Sequence, residues 1–218
     1  MPLDVEMFTV GAVQENCFLV RAKGAKSAVI VDPGEEAPRL LAAIEAAGVT
    51  LDAILLTHTH FDHVGAVAPV ARATGAPVYC PQLEVPVLQD VMAFVPWPGF
   101  GPYESWDPEQ TVAGGEALEL AGLTFDVIFT PGHSPGHVTY SVRDEAALFS
   151  GDVLFQGSVG RIDLPGGDGP TLMRSIAGLL ERFESDDTVV YPGHMGVTTL
   201  GRERACNPFV LQLADLLR

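Results

Sequence analysis

Three of the chain's six histidines, with an aspartate among them, fall in one short run, His58-Thr59-His60-Phe61-Asp62-His63. The others occupy two further motifs: His133 and His137 in Pro131-Gly132-His133-Ser134-Pro135-Gly136-His137, and His194 in Pro192-Gly193-His194. Imidazole is the commonest neutral metal ligand and loses its proton near neutral pH, so histidine used only in this way points to cation binding. Any one histidine is more often an ordinary hydrogen-bonded residue, but the pattern His-x-His-x-Asp-His is hard to reach by chance.

Each motif follows a short apolar run. Ala53-Ile54-Leu55-Leu56 ends at Thr57-His58, and Phe125-Asp126-Val127-Ile128-Phe129 ends at Thr130-Pro131-Gly132-His133. Ala146-Ala147-Leu148-Phe149 ends at Ser150-Gly151-Asp152, and Thr188-Val189-Val190-Tyr191 ends at Pro192-Gly193-His194. These runs have the length and composition of buried strands closed by turn residues. Four strands thus deliver a histidine or aspartate at their C-terminal ends, where sites on α/β folds gather.

Helical spacing appears between them, over Pro38–Ala47, Val64–Thr74 and Thr171–Phe183. A last helix, Phe209–Leu217, is expected to pack through Phe209, Leu213 and Leu216, with Asn207-Pro208 as its capped start. Asn16–Val20 and Ala28–Asp32 read as further strands. Strand and helix alternate without a linker or repeat, so residues 1–218 read as a single α/β domain.

A helix-like turn after Leu56 would bring His58, His60, Asp62 and His63 to one small volume, with the first two on one ion and the last two on another. His133 and His194 would add one ligand to each, and Asp152 a carboxylate between them. Seven ligating residues are too many for one tetrahedral zinc and natural for two ions sharing an oxygen. The donors are nitrogen and oxygen, which suit two divalent ions, zinc foremost, with iron or manganese also served.

Cys17, Cys80 and Cys206 lie far from these motifs and are expected to be reduced and packed. Residues 81–110 break the alternation, with Phe94, Trp97, Phe100, Tyr103 and Trp106 set among prolines. Such a segment serves as an apolar wall for substrate, or it packs on the core, or it joins copies in a homodimer. Phe94 and Trp97 are the candidate substrate contacts.

Composition excludes several functions. A formal charge of −16 disfavours nucleic acid, whose binding needs a basic face. No apolar stretch approaches the roughly 20 residues of a membrane span, and the acidic start Met1-Pro2-Leu3-Asp4-Val5-Glu6 is unlike a secretory signal. The expected setting is the cytoplasm.

In order and spacing, His58-x-His60-x-Asp62-His63, then His133, Asp152 and His194, resembles the metallo-β-lactamase superfamily. The resemblance runs from Asn16-Cys17-Phe18-Leu19-Val20 through Asp32-Pro33-Gly34 to His194, and implies a four-layered αβ/βα sandwich with metals at one edge. It implies one ion on His58, His60 and His133, a second on Asp62, His63 and His194, and Asp152 bridging them. His137 belongs to the motif without being a usual ligand, so it is expected to support the site.

Within the superfamily the chain looks like glyoxalase II-type thioesterases of the short single-domain branch. The carriers are Gly151-Asp152-Val153-Leu154-Phe155, Gly157-Ser158-Val159-Gly160-Arg161-Ile162-Asp163, and Gly201-Arg202-Glu203 to Asn207-Pro208-Phe209. Two departures stand out: the chain ends at Arg218 without a helical domain after His194, and Asp163 replaces the family's aromatic. Arg161 matches the family's basic contact to the thiol carrier, or else pairs with Asp163 or Asp168 to order its loop.

The expected reaction is hydrolysis of an S-(2-hydroxyacyl) thioester, a small molecule, by a hydroxide shared between the ions and oriented by Asp62. An iron-dependent persulfide dioxygenase, which shares a Gly-Arg-x-Asp stretch, and a lactonase are the alternatives.

Overall fold

The computed structural model describes residues 2–216, with side chains to residue 213. Two six-stranded mixed sheets carry the fold. The first holds β1 (Leu3–Val10), β2 (Glu15–Ala22), β3 (Ser27–Val31), β4 (Thr50–Leu55), β5 (Val78–Pro81) and β6 (Gln110–Val112) in spatial order 1-2-3-4-5-6. The second has the order 14-13-10-9-8-7, built from β7 (Ala117–Leu120), β8 (Leu123–Phe129), β9 (Val138–Val142), β10 (Ala147–Gly151), β13 (Val189–Pro192) and β14 (Thr198–Thr199). A small hairpin, β11 (Leu154–Phe155) and β12 (Ser158–Val159), follows β10.

Three apolar cores separate four layers. Between the sheets lie Phe18, Val29, Leu55, Phe125, Tyr140 and Phe149. The strict alternation of β8, with Leu123, Phe125 and Val127 turned inward, follows from the two-residue repeat of a strand. Outside the first sheet, α1 (Ala37–Ala47) and α3 (Val67–Thr74) bury Leu40, Ile44, Val67 and Val70. Outside the second, α5 (Gly169–Arg182) buries Leu172, Ile176 and Leu179, one stripe at helical spacing. The αβ/βα sandwich implied by the resemblance is the observed architecture.

Strand direction decides where the site forms. Strands β3 and β4 are parallel, as are β10 and β13, while β8 runs antiparallel to β9 and β9 to β10. The C-terminal ends of β8, β10 and β13 therefore share one edge of their sheet. All four chemistry-bearing loops leave from such ends.

Three expectations need correction. Residues 64–74 are not one helix: α2 (Phe61–Val64) stops before α3 because the Ala66 amide donates to the Pro33 carbonyl (3.0 Å). Asp62 and His63 thus sit on a helical turn of their own. The last helices are α6 (Leu200–Cys206) and α7 (Pro208–Leu216), and Phe209 faces outward at 40% exposure while Val210 is buried in its place. Leu213 packs as expected; the side chain of Leu216, and Leu217, lie outside the described residues. Cys17 and Cys80 are buried free thiols, but Cys206, on the last turn of α6, is exposed. The Asn207 cap is present, its Oδ1 accepting from the Phe209 amide (3.0 Å).

Residues 81–110 divide their roles. After a 3₁₀ turn, Gln82–Glu84, comes α4 (Val85–Leu88); Leu88 and Val91 anchor the segment in the core. Phe100, Tyr103 and Trp106 pack on the helix-side core, whereas Phe94 and Trp97 stand exposed beside the metal-motif edge.

Candidate metal centre

Two groups of donor atoms face each other at this edge. In the first, His58 Nε2, His60 Nδ1 and His133 Nε2 are 3.1, 2.8 and 3.2 Å apart. In the second, His194 Nε2 lies 3.2 Å, and His63 Nε2 3.9 Å, from Asp62 Oδ2. Asp152 reaches both groups. Its Oδ2 is 3.4 Å from His133 Nε2 and 3.6 Å from His194 Nε2, and its Oδ1 is 3.4 Å from His63 Nε2. All seven residues singled out from the sequence converge.

The outer ring nitrogens fix the tautomers. His133 Nδ1 faces the Arg161 carbonyl (2.8 Å), which can only accept, so its proton sits there and Nε2 turns a lone pair inward. Thr57 Oγ1 spends its proton on Asp32 Oδ2 (2.6 Å) and so accepts from His58 Nδ1 (3.0 Å). His63 Nδ1 donates to the same Asp32 oxygen (3.0 Å). His58 Nε2 and His133 Nε2, 3.2 Å apart, thus face each other as two lone pairs with no proton between them, which is a poor hydrogen-bond contact and a good ligand pair. His63 Nε2 and Asp152 Oδ1 are buried without a hydrogen-bond partner among the described residues. A tetrahedral ion with bonds of about 2.0–2.1 Å would set ligand atoms about 3.3 Å apart. The donors fit a pair of cations.

Two glycines are required by close approach. A Cβ on Gly193 would lie 2.3 Å from Asp152 Oδ1 and 2.6 Å from His63 Cε1. Gly151 has φ +47°, and a Cβ there would come 2.4 Å from Thr57 Oγ1. Each spacing of glycine before histidine or aspartate therefore has a steric cause.

The two groups differ electrostatically. Burial holds the His58 imidazole far below its ordinary pKa, reinforced by His63, His60 and His133. His60 is pushed down to about 4, by burial first and then by His133. In His63 and His194 burial acts in the same downward direction, but Asp152 and Asp62 outweigh it and both pKa values end raised. For Asp152, burial works upward and is overcome by His63, His133 and His194, so its carboxyl stays ionised.

His137 supports rather than lines the centre. Its Nε2 accepts from the Asp152 amide (3.1 Å), so its Nδ1 donates to Thr130 Oγ1 (3.1 Å). Arg161 takes the pairing role, with Nε and a terminal nitrogen each 2.7 Å from Asp163 and its guanidinium 5.2 Å from the Trp97 ring centre. Asp168 instead caps α5, accepting from the Thr171 amide (2.7 Å). A cavity of about 330 Å³ opens onto His60, Asp62, His133, Asp152 and His194, walled by Phe94, Trp97, Phe155 and Met195, with Arg161 at its side.

Sequence reasoning gave no site role to Asp32, Thr57, Glu15 or Glu84. Asp32 carries a signal that could have found it: it follows β3 as His58 follows β4, the neighbouring parallel strand. Glu15 is fully buried 3.7 Å from His63 Nδ1, and burial raises its pKa. No local pattern in the sequence marks this position.

A profile of the metallo-beta-lactamase superfamily matches residues 10–194. The chain belongs to this superfamily. Among relatives within it, the hydroxyacylglutathione hydrolase GloC of Haemophilus influenzae is 36% identical over 221 residues, covering 95% of this chain and 98% of that protein. Two solved structures superpose closely. The BLEG-1 B3 metallo-beta-lactamase has a TM-score of 0.89 at 39% identity, covering 95% and 99% of the two chains. TTHA1623, in a di-iron-bound form, has a TM-score of 0.84 at 44% identity, covering 94% and 100%. Superfamily membership makes the chain a metallo-hydrolase by fold and donor set.

Proposed function

We propose that the protein is a binuclear metal-dependent thioesterase of glyoxalase II type, cleaving an S-(2-hydroxyacyl) thiol. The observation that carries this is Asp152, whose two oxygens reach the three-imidazole group and the Asp62–His63–His194 group at the floor of one cavity. The relation to GloC supports the thioester assignment. We assign zinc to both groups; iron and manganese suit the same donors, and the di-iron form belongs to TTHA1623.

His58, His60 and His133 would hold one ion, Asp62, His63 and His194 the other, with Asp152 between them. Such a pair of ions supplies a lowered water pKa and Lewis-acid polarisation of a carbonyl. The chain's own residues do the rest. Asp62, beside the cavity and 3.2 Å from His194, accepts a hydrogen bond from the attacking water and sets its direction. Asp32 and the Arg161 carbonyl hold the imidazoles in the tautomers that face inward. Phe94 and Trp97 form an apolar wall for the acyl group. A thiolate leaves without a strong general acid, in keeping with histidines all engaged in or around the centre.

The test is elemental analysis of the purified protein joined to a thioester panel read by thiol release. Asp62→Ala and His58→Ala should abolish hydrolysis of S-lactoyl thioesters while leaving soluble protein. Turnover that survives in metal-depleted variants sinks the assignment. The likeness to BLEG-1 favours β-lactam hydrolysis as a second reading, so a chromogenic β-lactam belongs in the panel. Ring opening without thiol release would reverse the order.

A further inference from the structure

Glu84 lies outside both donor groups, yet its carboxylate joins the loops that carry them. It is buried, at 4% exposure, where the 3₁₀ turn Gln82–Glu84 meets α4. Its Oε2 accepts from Thr59 Oγ1 (2.8 Å), and Thr59 stands between His58 and His60. Its Oε1 accepts from Ser134 Oγ (2.7 Å) and from the Gly136 amide (2.7 Å), in the loop that begins at His133. The backbone there is closely fitted, since a Cβ on Gly136 would lie 2.7 Å from Glu84 Cγ.

The ring orientations of His58 and His133 are set elsewhere, by Thr57 and by the Arg161 carbonyl. Glu84 instead governs how far apart the two loops lie. The other donor group has different anchors. Asp32 holds His63, and Asn16 clamps the turn around His194 through the Gly193, Pro192 and Met195 carbonyls (2.7, 3.1 and 2.8 Å).

We propose that Glu84 is a positioning residue that sets the separation of the His58–His60 and His133 loops, so that cation affinity of the three-imidazole group depends on it and that of Asp62–His63–His194 does not. Loss of a partner hydrogen-bonded to the ligands themselves typically costs a metal site about 10–100-fold in affinity, and Glu84, which holds their neighbours Thr59, Ser134 and Gly136, is expected at the lower end of that range. The inference rests on the metal-centre reading above.

The experiment loads the full chain with Co²⁺ and removes it with graded chelator, following the visible bands of the two sites. His60→Ala and His194→Ala assign each band. In Glu84→Ala the band of the three-imidazole group should be lost at about tenfold lower chelator, with the other band unmoved. Melting of the metal-free variant is recorded alongside, because a merely structural role would lower it and loosen both sites together. Parallel shifts, or none, overturn the inference. If Glu84→Ala does not fold, Thr59→Val decides: it removes the hydroxyl that donates to Glu84 and leaves the carboxylate on Ser134 and Gly136, so the same band should weaken by a smaller factor, and an unchanged band overturns it. A wild-type chain that takes up no Co²⁺ defeats the metal-centre reading itself, and the inference with it.

Discussion

Asp32 Oδ2 lies 3.0 Å from His63 Nδ1, and the same oxygen accepts the Thr57 hydroxyl that in turn faces His58. One carboxylate thus orients an imidazole in each donor group. Such partners fix tautomer and ring direction, and with them ligand strength.

Replacing Asp32 with Asn keeps its size and tolerates the residue's left-handed backbone, φ 47°. The amide has one acceptor oxygen where the carboxylate uses two, so it cannot serve the Thr57 amide and also His63 with the Thr57 hydroxyl, and cation affinity should fall about 10–100-fold. Chelator competition measures it. Full retention of both ions by Asp32→Asn would show that the hydrogen bond does not tune the site.

Gly193→Ala puts a methyl group 2.3 Å from Asp152 Oδ1. The clash falls on the carboxylate that spans the two groups, away from the three apolar cores. The variant should stay folded by circular dichroism and lose at least about tenfold in thioester kcat/KM, as support-residue changes do. Wild-type turnover in this variant would place the Asp152 carboxylate elsewhere during catalysis.

The two donor groups should respond differently to acid. His60, held down to about 4, and His58, lower than ordinary, are free bases well below neutrality and need no deprotonation to bind a cation. His63 and His194 are raised, so near neutral pH an incoming cation must displace protons from them, and their affinity falls as pH falls. Calorimetric titrations in buffers of different ionisation enthalpy should find more protons released by the ion bound at Asp62, His63 and His194 than by the ion bound at the three imidazoles. Equal release at both sites contradicts this.

Trp97 is 39% exposed and lines the cavity without being one of the seven candidate ligands. A side chain that contributes only uniform binding lowers KM without helping the transition state, so on the proposed substrate-wall role Trp97→Ala should raise KM with little change in kcat. Loss of part of an aromatic contact corresponds to about a tenfold rise. Steady-state kinetics on S-lactoyl thioesters decide it; a fall in kcat alone would place Trp97 in the chemistry.

Much of the site was legible because its residues are local in sequence. The run from His58 to His63, and the repeated step from apolar strand to glycine to histidine or aspartate, can be read without coordinates. The break at Gly65 was not, because it depends on the Ala66 amide finding the Pro33 carbonyl, a contact between distant segments. Phe209 misled for a similar reason: periodicity marks a face, and only the neighbouring α5 and α6 decide that Val210 rather than Phe209 is covered.

Residue types and order alone determined which atoms can ligate and which strands deliver them, because imidazole chemistry and two-residue alternation are properties of short segments. Tertiary structure alone decided that Asp32 holds His63 and that Glu84 joins the loops behind His58, His60 and His133. These are long-range meetings of side chains, and distance along a chain carries no record of them until the sheets have closed.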